Sequence, residues 1–198
     1  MDESRLIHEA QQGSLPAFNR LVLAYQSLAY STAYRVLGDR EAAADACQDA
    51  FLKAYQAIRT YRGGSFKSWL MRIVTNTCYD QLRYRRRRPA SSLEEMTENP
   101  GPEQVRLVNG TEKPEERVER QELHDLLQAG INQLPEDQRI VLVLSDVQGF
   151  SYQEIAEIID QPLGTVKSRL SRARRRLRDI LWQKPELLPA QYRLSNEA

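Results

Sequence analysis

Cysteine is scarce in this sequence: there are two in 198 residues, Cys47 and Cys78, each on a helical pattern and neither at metal-ligand spacing. A disulfide framework or a thiolate metal site is therefore not expected, and buried thiols in a reducing compartment are. Histidine is equally sparse, with His8 and His124 isolated from each other and from any acid–thiol cluster. No apolar run approaches the ~18 residues of a membrane span, and the opening MDESRLIHEA has no signal-peptide core, so a cytoplasmic protein without membrane insertion is expected. Gly63-Gly64 lacks the Lys-Ser/Thr that follows in a nucleotide-binding loop. With no nucleophile constellation either, the sequence predicts no catalytic residue, no metal and no cofactor.

What is abundant is helical patterning and segregated charge. The formal net charge is only +1, yet Arg83–Arg88 and Lys167–Arg178 are strongly basic while the chain between them is acidic. Local basic clusters of this kind point to nucleic-acid contact better than an overall pI does. From Gln161 to Leu181, Val166, Leu170, Ala173, Leu177 and Leu181 recur on one narrow face at about 100° per residue. Lys167, Ser168, Ser171, Arg172, Arg175 and Arg178 occupy the other face. Small hydroxyls among arginines can approach a groove closely and offer donors to phosphates and base edges. Just upstream, FSYQEIAEIID carries a Ser151–Glu154 capping box and an apolar stripe of Tyr152, Ile155, Ala156 and Ile159. Two short helices, the second basic outside, read as a helix-turn-helix with its recognition helix.

The rest of the chain is also helical in pattern. Phe18 to Leu37 mark an opening amphipathic helix ended by Gly38, and Asp39 is placed to cap a second over about Arg40–Arg59. That helix buries Ala43, Ala46, Cys47, Ala50, Phe51, Ala54 and Ile58. Its far face holds Asp45, Gln48, Asp49 and Gln56 around a central Leu52, which marks either a partner site or a singly exposed leucine. A loop through Tyr61 and Gly63-Gly64 leads to a third helix from near Ser65, with Phe66, Trp69, Leu70, Ile73 and Thr77 inward. Pro89 should stop it near Arg88. Tyr61, Arg62, Trp69, Arg72, Tyr79, Arg83 and Tyr84 set aromatics beside cations, a combination suited to unstacked bases. Phe66 and Trp69 read as core, whereas Tyr61 and the arginines read as contacts. Residues 90–114, rich in Pro, Gly, Ser, Asn and Glu, read as a linker. Helical periodicity returns through Leu123, Leu127 and Ile131, and again in Ile140, Val143, Leu144 and Val147 before Gly149, a set expected to pack with the helix-turn-helix. The expected fold is all-α: a small helical domain over 1–89, a flexible linker over 90–114, a second domain over 115–183 containing the helix-turn-helix, and a weakly ordered tail over 184–198.

Three stretches, DACQDAFLKAY, FKSWLMRIVTNTCYDQLRYRRRRP and LPEDQRIVLVLSDVQGFSYQEIAEIIDQPLGTVKSRLSRARRRL, appear in this order with a linker before the last. In this they resemble the extracytoplasmic-function class of the sigma-70 family, over about residues 5–88 and 115–183. The resemblance implies a factor that directs core RNA polymerase to promoter DNA, often restrained by an anti-sigma protein. It implies polymerase binding through Asp45, Gln48, Asp49, Leu52 and Gln56, and capture of the melted −10 strand through Tyr61, Ser65, Asn76 and Arg83. It further implies reading of the −35 duplex by Lys167, Ser168, Ser171, Arg172 and Arg175, with Thr165 and Arg169 nearer the DNA backbone. The rival reading is a regulator in which a helical sensing domain carries a helix-turn-helix and binds duplex operators without polymerase. The basic, aromatic first domain argues against it.

Overall fold

A computed structural model describes residues 2–87 and 114–183, with side chains in the second segment from residue 120 onward. The expected linker over 90–114 lies outside the described residues except for its last position, and the expected tail over 184–198 lies wholly outside them. The described residues are all-α, with eight α-helices and no strand among them.

The first unit comprises α1 (Glu3–Gln11), α2 (Leu15–Leu37), α3 (Arg40–Ala57), a 3₁₀ turn (Ile58–Thr60) and α4 (Phe66–Arg87). The sequence reading starts the fold at α2 and overlooks α1, a nine-residue helix. Its signal is there: Asp2 accepts from the Arg5 amide as N-cap, and Leu6, Ile7 and Ala10 form the buried face. Gly38 ends α2 in the left-handed conformation at φ 71°, and the Asp39 carboxylate accepts the Ala42 amide at 2.7 Å. Small residues let α2, α3 and α4 approach closely, because Ala29, Ala33, Ala43, Ala46, Ala50 and Ala54 all lie in the core. Cys47 and Cys78 are both buried free thiols, and burial pushes each up to about 12. Thiols held that far above neutral pH stay protonated and unreactive.

The second unit comprises α5 (Pro114–Asn132), α6 (Glu136–Leu142), a π turn (Val143–Val147), α7 (Tyr152–Ile159) and α8 (Leu163–Leu181). The π turn changes one expectation. An added residue per turn rotates the helix face, so Val147 is 42% exposed while Val141, Leu142, Val143 and Leu144 are buried. In α7 both halves of the capping box form: Ser151 Oγ accepts the Glu154 amide at 3.2 Å, and Glu154 Oε2 accepts the Ser151 amide at 2.8 Å. Ile158 joins Ile155 in the core of this unit, a position the expected stripe omits. Ser151→Ala should lower the thermal unfolding free energy by about 1 kcal/mol without altering helix content in circular dichroism.

The two units pack against each other, α4 against α7 and α2 against α5. Tethering alone does not predict this contact.

Candidate nucleic-acid and polymerase interfaces

Pro162 precedes α8, and the helix core face forms as its periodicity requires: Val166, Leu170 and Ala173 are buried, with Leu177 and Leu181 partly so. Burying that face turns the opposite one outward. Lys167, Ser171, Arg172 and Arg175 are exposed on it. Three expected contact residues, Thr165, Ser168 and Arg169, are half-buried, and they are locally engaged. Ser168 donates its hydroxyl to the Thr165 carbonyl at 3.0 Å, and Arg169 Nε lies 3.1 Å from the Asp137 carboxylate. Arg174, which points away from the outer stripe, donates two bonds to Asp146 at 2.8 and 2.6 Å. Burial pushes the Asp146 carboxyl up, but hydrogen bonds from Arg174 and Ser145 outweigh it and hold the group below its ordinary value. The charges of Lys167, Arg172, Arg175 and Arg176 have no acidic partner among the described residues, which leaves them available to phosphates.

On α4, Ser65, Arg72, Asn76 and Arg83 recur at intervals that keep them on one stripe of the helix. Ser65 caps the helix by accepting the Ser68 amide at 3.1 Å. Asn76 and Arg83 are exposed. Tyr61 is more constrained than a free stacking platform. Its ring packs edge-on against Phe66 and Trp69 at 5.6 and 5.4 Å, and its hydroxyl donates to the Gly64 carbonyl at 2.7 Å. Its own carbonyl accepts from Gln11 of α1 at 2.8 Å, a support that the sequence reading misses. Phe66 is buried, as expected, while Trp69 is only partly so. Gly63 and Gly64 both take positive φ, at 99° and 93°, which shapes the loop carrying Tyr61 into α4.

On α3, Asp45, Gln48, Asp49, Leu52 and Gln56 all face outward, and Leu52 is 56% exposed. Leu23, on the outer side of the neighbouring α2, is 66% exposed. Leu23 lies off the buried stripe of α2, so helical periodicity gives no signal for it.

A helical protein with a capped helix-turn-helix and a second cationic helix belongs to the DNA-binding class. Comparison with known proteins goes further. Residues 21–88 match Sigma-70 region 2, and residues 124–177 match Sigma-70, region 4. The chain is 38% identical over 87% of its length to the RNA polymerase sigma-H factor of Pseudomonas aeruginosa, covering 90% of that protein. It is 39% identical over 85% of its length to the ECF RNA polymerase sigma-E factor of Escherichia coli K12, covering 88% of it. Among solved structures, the Bartonella quintana sigma factor RpoE, crystallised with the anti-sigma factor NepR, matches with a TM-score of 0.63 at 28% identity. That match covers 83% of this chain and 96% of the other. The chain belongs to the sigma-70 family, in its extracytoplasmic-function class, and is an alternative sigma factor that directs RNA polymerase to promoters. The rival reading, an operator-binding regulator that works without polymerase, is not favoured.

Proposed function

We propose that the three surfaces divide the work of initiation. The α3 face around Leu52 holds core RNA polymerase. The α4 stripe of Ser65, Asn76 and Arg83, with Tyr61 at its head, captures the −10 strand once melted, and the outer face of α8 reads the −35 duplex. The observation that carries this reading is the row of exposed cations on α8, unpaired among the described residues, on a helix whose other face packs through Val166, Leu170 and Ala173. Each DNA contact is small, but tethering both to one polymerase raises the effective concentration of the second. Capturing an extruded base offsets part of the few kcal/mol that each unstacked step costs. Binding energy then drives strand opening without covalent chemistry, so the protein acts in the cytoplasm as a non-catalytic factor. An anti-sigma protein is the natural restraint on it, as NepR is the partner of the related RpoE.

Within α8, Arg172 is exposed in the half of the helix that enters a groove, whereas Arg169 is held by Asp137. Arg172→Ala should therefore cost about 1–3 kcal/mol and relax selection at one or two −35 positions. Arg176→Ala should weaken binding more evenly across sequences, as loss of a phosphate contact does. Binding of polymerase holoenzyme to a −35 library distinguishes the two. Equal losses on cognate and scrambled −35 DNA for Arg172→Ala would remove its base-reading role.

A further inference from the structure

The loop that carries Tyr61 into α4 is held from outside by α1. The side-chain amide of Gln11, the last residue of that helix, donates to the Ile58 carbonyl at 3.3 Å and to the Tyr61 carbonyl at 2.8 Å. One amide thus closes both ends of the turn that places Tyr61. Other bonds tie the turn only to itself: the Thr60 hydroxyl donates to the Ala57 carbonyl at 2.7 Å, and the Tyr61 amide donates to the Ile58 carbonyl at 3.1 Å. Beyond Tyr61 the loop is open, since among the described residues nothing lies within 4 Å of where a Cβ would stand on Gly63 or Gly64.

The same helix reaches the Tyr61 ring by a second route. The Tyr25 hydroxyl donates to the Glu3 carboxylate, the Tyr25 ring packs against Phe66 with centroids 5.6 Å apart, and Phe66 packs in turn against Tyr61. Burial, with Glu3 adding to it, pushes the Tyr61 phenol up, so at neutral pH it stays protonated and keeps its bond to the Gly64 carbonyl. Leu6, Ile7 and Ala10 are buried and seat α1 on α2, which makes it a firm support. This helix lies ahead of residue 21, where the match to Sigma-70 region 2 begins.

We propose that α1 is a brace for capture of the −10 strand and that Gln11 is its positioning residue, fixing where the Tyr61 ring stands at the head of the α4 stripe. The proposal rests on the reading of that ring and stripe as the single-strand surface. A side chain that must meet an unstacked base gains affinity from being placed in advance, because ordering it on binding costs free energy. Without the Gln11 amide two carbonyls lose a donor, and a loop open on its far side samples other positions. When the placed form falls to about a tenth of the population, apparent affinity for the strand falls about tenfold. A brace that served stability alone would lower the melting temperature and leave promoter choice as it is.

The test uses holoenzyme assembled with the full chain and a promoter library randomised through the −10 element. Gln11→Met, of similar length but without a donor, should lower transcription from the preferred −10 sequences about tenfold and flatten the preference among them, with −35 duplex binding unchanged. Gln11→Glu keeps the shape and replaces the donor with an acceptor. It should do the same, and it covers the case in which Gln11→Met fails to fold. In a Tyr61→Ala background Gln11→Met should add nothing, since residues that act as one unit are not additive. Wild-type −10 selection in the folded Gln11 variants overturns the proposal, and so does a full additional loss on top of Tyr61→Ala. Unchanged −10 selection in Tyr61→Ala itself overturns the single-strand reading of the loop, and the proposal falls with it. A loss in Tyr61→Ala with none in the Gln11 variants overturns the role of Gln11 alone.

Discussion

Leu52→Asp should leave the protein folded and abolish measurable association with core RNA polymerase. The helix that carries Leu52 already fills the core with its opposite face, through Ala43, Ala46, Ala50 and Ala54. The side chain is 56% exposed, so the substitution removes no internal contact of weight. At an interface the same leucine contributes roughly 1.5–3 kcal/mol by burial. A carboxylate in its place must be desolvated without a partner, which costs about 3–5 kcal/mol more. Together these exceed a hundredfold loss in affinity by a wide margin. Asp45 and Asp49 on the same face should behave differently. Rim carboxylates steer and orient a basic partner more than they hold it, so neutralising either should slow association several-fold without abolishing it. Co-purification with core enzyme, with thermal melting as folding control, measures both effects. A Leu52→Asp variant that melts normally and binds core at wild-type strength would remove α3 as the polymerase surface.

Asn76→Ala should cut promoter opening about thirtyfold to over a hundredfold while leaving −35 binding intact. An exposed amide on the α4 stripe offers a donor and an acceptor to the edge of an extruded base. Two such bonds at about 1–1.5 kcal/mol each give that range. The interaction exists only with the base out of the stack, so its loss falls on the open complex and not on duplex binding. Permanganate reactivity of melted thymines reports the first, and holoenzyme binding to a −35 duplex fragment reports the second. Unchanged thymine reactivity would show that Asn76 does not hold a base.

Much of this architecture is visible in the residues themselves. The α8 stripe, the Ser151–Glu154 box, the Gly38-Asp39 junction and the polar face around Leu52 are local patterns, and periodicity and capping chemistry reveal local patterns. The Val147 expectation fails for a local reason too: a π turn shifts the register, and no sequence signal announces it. Tyr61 shows a different limit. Its aromatic character is legible, but whether the ring is free or packed depends on Phe66, Trp69 and Gln11 arriving from three separate elements. The least legible feature is the contact between the units. Arg139 and Gln128 look like surface residues on amphipathic helices, and His124 looks isolated. Their burial depends on α2 supplying Val36 and Arg35 across roughly a hundred residues of sequence. Burial, with Arg35 adding to it, holds the His124 imidazole below its ordinary pKa, although nothing near it in sequence suggests a neighbouring arginine. The proposed polymerase and −35 surfaces depend less on such pairings, since each lies on a single helix. Long-range polar pairings leave no period to read.

The central claim, that this chain gives core RNA polymerase promoter specificity, is tested most directly by run-off transcription from a genomic fragment library with and without the protein. The account predicts discrete transcripts only when chain and core enzyme are both present, with start sites downstream of a shared pair of sequence elements, and their loss on Leu52→Asp. Tight, specific promoter occupancy by the protein alone, with no new transcripts when core enzyme is added, would contradict it.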